Sequence, residues 1–163
     1  MKIKDIIKLR DIIYERFGDY KEPSLFLCSS SCDWKCCKDN PKICQNMAIA
    51  KQPSADICIE KIYKKYISNN ITKAIVIGGL EPMLQSDEVI SLIKYFRKQG
   101  CNDYFVIYTG YYEDEISDIV AELKNFKNII IKYGRYTPDI RSRFDPILGV
   151  TLSSENQYAE IIS

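Results

Sequence analysis

Histidine is absent from this sequence of 163 residues, and tryptophan occurs only once. A metal site in such a chain cannot use imidazole, so its ligands must be thiolates or oxygen atoms. Cysteine, in contrast, is plentiful: there are seven, and five of them lie within residues 28–44. A group this dense predicts a function for the segment beyond that of an ordinary loop.

An excess of positive charge is also missing. The chain has 23 basic and 22 acidic residues, which argues against a nucleic-acid-binding surface. The apolar runs are far too short to cross a bilayer, and charges interrupt the N-terminal segment where a secretion signal would need an apolar stretch. We therefore expect a cytoplasmic protein with no membrane or nucleic-acid partner. Cysteines stay reduced in the cytoplasm, so the clustered ones indicate metal or redox chemistry rather than disulfides.

The length predicts one domain, residues 1–163, with an N-terminal extension at 1–23 and a core at 24–163. The extension has apolar residues at mixed spacings that are compatible with a helix. In the core, strands are expected at 24–27, 73–79, 104–110, 128–134 and near 149–154, and helices at 55–70, 86–100 and 113–126. Ser86 is the expected N-cap of its helix, and Gly100 is expected to end it. The order predicts an α/β fold with a parallel sheet and right-handed crossovers.

The four main predicted strands are each followed by cysteines, glycines or polar residues. These tails are residues 28–44, 78–82, 109–111 and Gly134. In parallel sheets the carboxyl ends of the strands lie at one edge, and ligands bind there. The four tails together predict a single site.

The cysteine spacing allows more than one set of ligands. Cys32, Cys36 and Cys44 leave gaps of three and seven residues, whereas Cys28, Cys32 and Cys36 leave gaps of three and three. Cys37 directly follows Cys36, and neighbouring side chains diverge, so the two are not expected to bind one small cluster. Thiolates without histidine fit an iron–sulfur cluster, or a zinc ion if four of them bind, and the lack of CxxC pairs favours the cluster. Cysteines that only pack and bind no metal are a third alternative.

The order of short motifs resembles that of the radical S-adenosylmethionine (SAM) superfamily. Within that superfamily, the sequence is most similar to the activating proteins of anaerobic ribonucleotide reductase. The motifs are "CDWKC" followed by "CQN", then "GGLEP" after a strand, "TGY" after a later strand, and "FDP" and "SSENQ" towards the end. The resemblance extends over residues 24–162.

This resemblance implies a parallel partial (βα) barrel of minimal size that holds a 4Fe–4S cluster. The family's cysteine motif ends in C-x-N, which reappears at Cys44-Gln45-Asn46, so the implied ligands are Cys32, Cys36 and Cys44. One iron is then left for SAM to chelate. The residues that the resemblance assigns to SAM are Asn46, Gly78, Gly79, Glu81 and Thr109.

Two departures from the family pattern lie in these motifs. The segment "CKDNPKI" is inserted between Cys36 and Cys44, and Leu80 is inserted into the family's GGEP motif. We expect Leu80 to be accommodated as a bulge, with its side chain turned into the core or towards the cysteine loop.

The resemblance implies an oxidoreductase that cleaves SAM reductively and generates a glycyl radical on the large subunit of an anaerobic ribonucleotide reductase. Electrons would come from a donor such as flavodoxin or ferredoxin. Two alternatives stay open. One is a radical SAM enzyme that acts on another peptide or small molecule, and the other is a non-catalytic metal-binding scaffold of the same fold.

Overall fold

The computed structural model of the chain describes residues 4–37 and 44–163. It contains a main sheet of seven strands and a separate hairpin of two. The strands are β1 (Ile6–Arg16), β2 (Ser24–Ser29), β3 (Ala55–Cys58), β4 (Ala74–Gly78), β5 (Tyr104–Tyr108), β6 (Ile129–Tyr133), β7 (Arg143–Asp145), β8 (Val150–Leu152) and β9 (Tyr158–Ile161). The helices are α1 (Met47–Ala50), α2 (Ile59–Ile67), α3 (Ser86–Lys98) and α4 (Ser117–Leu123).

Four neighbouring strands, β2, β4, β5 and β6, run parallel to one another at the centre of the main sheet. Helix α3 connects β4 to β5, and α4 connects β5 to β6, as parallel pairing requires. Antiparallel strands extend the sheet on both sides, β1 and then β3 beyond β2, and β9 beyond β6. The α/β class with a parallel partial barrel, predicted from the sequence, is confirmed.

The central strands are buried on both faces, which explains why their sequences are apolar almost throughout. On one face, Ile75 and its neighbours pack against α2, α3 and α4, where Phe96 is fully buried. On the opposite face, Val76 packs in a second cluster with Leu148 and Leu152 of the β7–β8 hairpin. The helices and the hairpin therefore cover opposite faces of the sheet. Successive residues along each central strand point alternately towards the helices and towards the hairpin.

The N-terminal segment is a strand, so the helix predicted there is wrong. β1 pairs with β2 on one side and β3 on the other, which places it inside the main sheet. Its first residues alternate between exposed Ile6 and Lys8 and buried Ile7 and Leu9. Isoleucine favours strands, and two partner strands supply backbone hydrogen bonds that the mixed spacing of the sequence did not reveal.

Other boundaries also differ from the predictions. The first four residues of the helix expected at 55–70 form the strand β3, and α2 begins at Ile59. Gln85, not Ser86, occupies the N-cap position of α3 and makes no capping side-chain bond. Gly100 follows α3 with a φ of 86°, as predicted for its end. No helix in the described part of the chain is long and apolar enough to span a bilayer.

Candidate functional site

A cavity of about 390 Å³ lies at the carboxyl edge of the four parallel strands. Residues that follow each of these strands line it, which agrees with the single site predicted from the strand tails. They are Cys32 and Cys36 after β2, Gly79 and Glu81 after β4, Thr109 and Gly110 after β5, and Gly134 and Arg135 after β6. Its volume is in the range of small-molecule and cofactor sites.

The cavity continues along the inner face of the sheet towards the β1–β2 turn. Phe26 and Tyr108 line it from β2 and β5, and Arg16 and Asp19 line its far end. The Arg16 guanidinium stacks on the Phe26 ring at 4.1 Å from its centroid and pairs with Asp19 at 2.7 Å. The cavity therefore has a thiol-rich end and an end with a paired arginine and aspartate.

Three cysteines line the first end of this cavity: Cys32, Cys36 and Cys44. They are the three that the family resemblance assigned to a cluster. The inserted segment between the last two lies mainly at residues 38–43, outside the described residues. Trp34, between the first two, adopts a left-handed backbone with a φ of 62°, and its N–H donates to the Cys32 sulfur at 3.3 Å.

Burial governs the thiol chemistry of this loop. It raises the pKa of Cys32 to about 11, and it also raises the pKa of Cys36, where the charges of Cys32 and Cys44 act in the same direction and a hydrogen bond with Cys37 opposes it. A thiolate is the form that binds iron. Gathering thiols in a poorly solvated place disfavours thiolates unless a cation is present, so the donor set suits a bound cationic group.

The other two cysteines of the segment are more deeply buried. Cys28 is fully buried at the end of β2 and Cys37 is 3% exposed, and neither is among the described residues that line the cavity. Cys28, Cys32 and the Cys36–Cys37 pair nevertheless lie near one another. No three histidine, cysteine or carboxylate side chains in the described ranges are placed to hold one metal ion. The three thiolates of a cubane cluster bind three different irons, so the cysteine side chains need not converge on one metal position.

The Gly79 region forms a tight turn above Cys28. The Leu80 N–H donates to the Gly78 carbonyl at 3.0 Å, and Gly79 between them has a φ of 79°. Gly78 lies within β4 and is not among the described cavity-lining residues, whereas Gly79 is. Leu80 is only 8% exposed, so the inserted side chain is buried, as expected.

The Glu81 carboxylate joins the end of β4 to the end of β5. It accepts hydrogen bonds from the Thr109 hydroxyl at 2.7 Å, the Gly110 N–H at 2.8 Å and the Met83 N–H at 3.0 Å. Burial raises its pKa, and these three donors oppose that effect. Glu81 and Thr109 line the cavity, but their polar groups are already engaged with each other.

Asn46 lies at the N-cap position of α1 and lines the cavity beside Cys44. Its side chain does not cap the helix. The amide is therefore not used by α1, and it lies next to the thiols where the sequence predicted a SAM contact. That role stays a prediction, as do those of the other assigned residues.

Lys132 was missed by the sequence reasoning. It lies on β6 in the run "IIIKY", lines the cavity and is 6% exposed. Its ammonium donates to the Gly134 carbonyl at 3.1 Å and lies 5.5 Å from the centre of the Tyr108 ring. Burial lowers its pKa to about 8. The signal in the sequence was a lysine within an otherwise apolar buried strand, because a buried lysine needs a polar partner.

The "SSENQ" motif fixes the loop after β6. Asn156 donates to the Arg135 carbonyl at 2.8 Å, and Gln157 donates to the Gly134 carbonyl at 3.2 Å. The Ser154 hydroxyl accepts from the Thr137 N–H at 3.2 Å. The motif thus satisfies backbone groups of the segment that forms one wall of the cavity.

These features define an α/β protein with a thiol-lined cavity at the carboxyl ends of its parallel strands. The model of the family described as the 4Fe-4S single cluster domain matches residues 23–158, and the chain belongs to that family. It is a radical SAM-type family found in glycyl radical activases. A comparison with curated proteins gives no match.

Proposed function

We propose that the protein is a SAM-dependent activating enzyme that generates a glycyl radical on a partner of the anaerobic ribonucleotide reductase type. One observation carries this proposal. In a chain that belongs to a 4Fe-4S radical SAM-type family, the three cysteines of the family pattern and the ends of all four parallel strands line one cavity.

The residues present fit a 4Fe–4S cluster. Cys32, Cys36 and Cys44 offer three thiols at one end of the cavity, and the Trp34 N–H already points at one sulfur, as amides do that tune cluster potentials. Three protein ligands leave one iron for SAM. When bound and reduced, this pair of cofactors supplies a 5′-deoxyadenosyl radical.

The cavity also offers groups suited to SAM beside the thiols. Asn46 provides an amide, and the turn at Gly79 brings main-chain groups to the cavity wall. Lys132 provides the positive charge that the SAM carboxylate requires, since its ammonium has one described acceptor and two remaining N–H groups. Glu81 holds the wall formed by Thr109 and Gly110 rather than offering a free carboxylate.

An open sheet supports the proposal of a macromolecular partner. In the described ranges the strand order ends at β3 on one side and β9 on the other, and these two strands are not paired. A glycine-bearing loop of a partner protein enters such an opening more easily than a closed barrel. Glycine suits radical formation because its Cα carries no side chain and its flanking amides stabilise the radical. Electrons would be supplied in the cytoplasm by a donor such as flavodoxin or ferredoxin.

The test uses anaerobically reconstituted protein with measured iron and sulfide. Dithionite-reduced protein is mixed with SAM and with the large subunit of an anaerobic ribonucleotide reductase as the candidate partner. We expect methionine and 5′-deoxyadenosine to form and a glycyl doublet to appear in the electron paramagnetic resonance spectrum. Cleavage of SAM without that doublet, together with modification of another peptide or metabolite, would assign a different substrate. A cluster-replete protein that cleaves no SAM would leave only a metal-binding scaffold.

A further inference from the structure

Tyr111 connects the cysteine loop to the strand ends that form the opposite wall of the cavity. It follows β5 in the "TGY" motif, and its hydroxyl donates to the carboxylate of Asp33. Its ring also lies near two cations, with the Lys35 ammonium 4.6 Å and the Arg135 guanidinium 5.7 Å from its centroid. Tyr111 thereby contacts two of the three residues that separate Cys32 from Cys36.

The contacted residues control where these two cysteines lie. Asp33 and Lys35 flank Trp34, whose left-handed backbone turns the chain between the two thiols. The Lys35 ammonium lies 3.8 Å from the Asp33 carboxylate. A contact that fixes Asp33 and Lys35 therefore fixes both ends of the turn that carries Cys32 and Cys36.

Tyr111 is itself held on the framework of the sheet. Its N–H donates to the Thr109 hydroxyl at 3.1 Å, and its carbonyl accepts from the Gly134 N–H at 3.1 Å. The Thr109 hydroxyl in turn donates to Glu81 at 2.7 Å. Backbone and side-chain bonds thus place Tyr111 between the ends of β4, β5 and β6, while its side chain reaches over to the cysteine loop.

Arg135 and Glu115 complete the arrangement around the ring. The Arg135 guanidinium pairs with the Glu115 carboxylate at 2.5 Å, and Lys35 lies 4.0 Å from that same carboxylate. Glu115 after β5 and Arg135 after β6 therefore form one network of charged side chains with Lys35 of the cysteine loop. The Tyr111 ring lies within about 6 Å of both cations, and cation–π attraction adds to its hydrogen bond with Asp33.

We propose that Tyr111 is a positioning residue that sets the Cys32–Cys36 turn against the cavity wall formed by Thr109 and Gly110, so that the iron without a protein ligand faces SAM. This inference rests on the proposed function, because it needs a cluster and SAM in the cavity. Tyr111 contacts neither cofactor in this scheme. It acts through Asp33 and Lys35, so its loss should weaken SAM binding to the cluster without removing the cluster.

The test compares Tyr111→Phe with Tyr112→Phe in the cluster-loaded protein. The two substitutions delete the same hydroxyl group at adjacent positions, but the Tyr112 hydroxyl accepts from Asn156 at 2.8 Å and has no hydrogen bond to Asp33 or to the other described residues of the cysteine loop. We expect equal iron content in both variants. SAM affinity should fall roughly tenfold in Tyr111→Phe only, the size expected for a hydrogen bond to a charged group. The SAM-induced change in the electron paramagnetic resonance spectrum of the reduced cluster should weaken in parallel.

Asp33 provides a second, independent arm. Asp33→Asn keeps an acceptor for the Tyr111 hydroxyl and should restore most of the affinity that Asp33→Ala loses. Tyr111→Phe should add little to Asp33→Ala, because both remove the same contact.

The outcomes separate the two proposals. If wild-type protein with a full cluster binds no SAM, the proposed function fails. If the wild type binds SAM and Tyr111→Phe binds it equally well, only the positioning role is overturned. Loss of iron from Tyr111→Phe but not from Tyr112→Phe would also overturn it, since Tyr111 would then be needed to retain the cluster.

Discussion

Gly79 lies directly over the Cys28 thiol. A β-carbon at position 79 would be 2.4 Å from the Cys28 sulfur, closer than any real contact allows. Gly79 also has a φ of 79°, a conformation that favours glycine. The two facts give Cys28 a role that its sequence position did not suggest. It fills the space beneath the turn that borders the cavity, and it packs on the inner face of the sheet.

Gly79→Ala should lower the free energy of unfolding by about 2–4 kcal/mol, because the cost of a positive φ at an alanine adds to the cost of overpacking against Cys28. Urea titration of the cluster-loaded protein under anaerobic conditions measures this. Gly18→Ala is the matched control, since a β-carbon there has no atom within 4 Å. Adding Cys28→Ala to Gly79→Ala should recover part of the loss by removing the sulfur. If the double variant is no more stable than Gly79→Ala, the thiol is not the obstacle.

The choice of cluster ligands is tested by single alanine substitutions. Cys32→Ala, Cys36→Ala and Cys44→Ala should each abolish the visible absorbance of the reconstituted protein, because three thiolates are the minimum for the cubane. Cys28→Ala and Cys37→Ala are controls of the same chemistry at buried positions, and they should retain at least most of the iron. Retention of the cluster in Cys44→Ala together with its loss in Cys28→Ala would show that the ligands are Cys28, Cys32 and Cys36.

The fold could be predicted from the sequence wherever one local pattern determined an element. The runs around Ile75, Phe105 and Ile130 are strands because burial on both faces demands continuous apolar sequence. β1 could not be recognised, because it depends on pairing with both β2 and β3, and β3 begins only at Ala55. The edge strands β7 and β9 are short and carry polar residues, so they too depend on partners.

The candidate site was predicted in part for the same reason. Cysteines and glycines after strands carry a local signal, and the topology then gathers them at one edge. The partners of Glu81 were not visible in the sequence, because Thr109 lies 28 residues away and meets it only through the pairing of β4 with β5. Lys132 was overlooked because a single lysine in a strand is usually exposed at an edge, and only the structure shows that this one faces a cavity.

Glu81→Gln should destabilise the protein by about 1–3 kcal/mol. The substitution replaces one carboxylate oxygen with an NH₂ group, which must face a donor, either the Gly110 N–H or the pair formed by the Met83 N–H and the Thr109 hydroxyl. Thermal unfolding measured by circular dichroism gives the change in stability. The exposed Glu160→Gln on β9 makes the same chemical change and should leave the unfolding temperature nearly unaltered. Equal effects from the two variants would mean that the three hydrogen bonds contribute little.

Lys132 should make stability depend on alkaline pH. Its folded pKa of about 8 lies below the ordinary value of 10.5, so burial opposes the ammonium in the folded state. Below pH 8 both states carry the proton and the folded protein bears the full cost. As pH rises towards 10.5, the folded state releases its proton first, and stability increases by about 3 kcal/mol.

Lys132→Met should therefore be more stable than the wild type at pH 7 and should lose this rise with pH, because its side chain is of similar length and carries no charge. The same substitution should weaken SAM binding, since it removes the cation proposed to receive the SAM carboxylate. Denaturant unfolding from pH 7 to 10, with SAM affinity measured at pH 7, tests both effects on one variant. Lys127→Met, at an exposed position, should change neither. A gain of stability with unchanged SAM affinity would confine Lys132 to a structural role beside Gly134. Unchanged stability would show that Lys132 is not a buried ammonium in the folded protein.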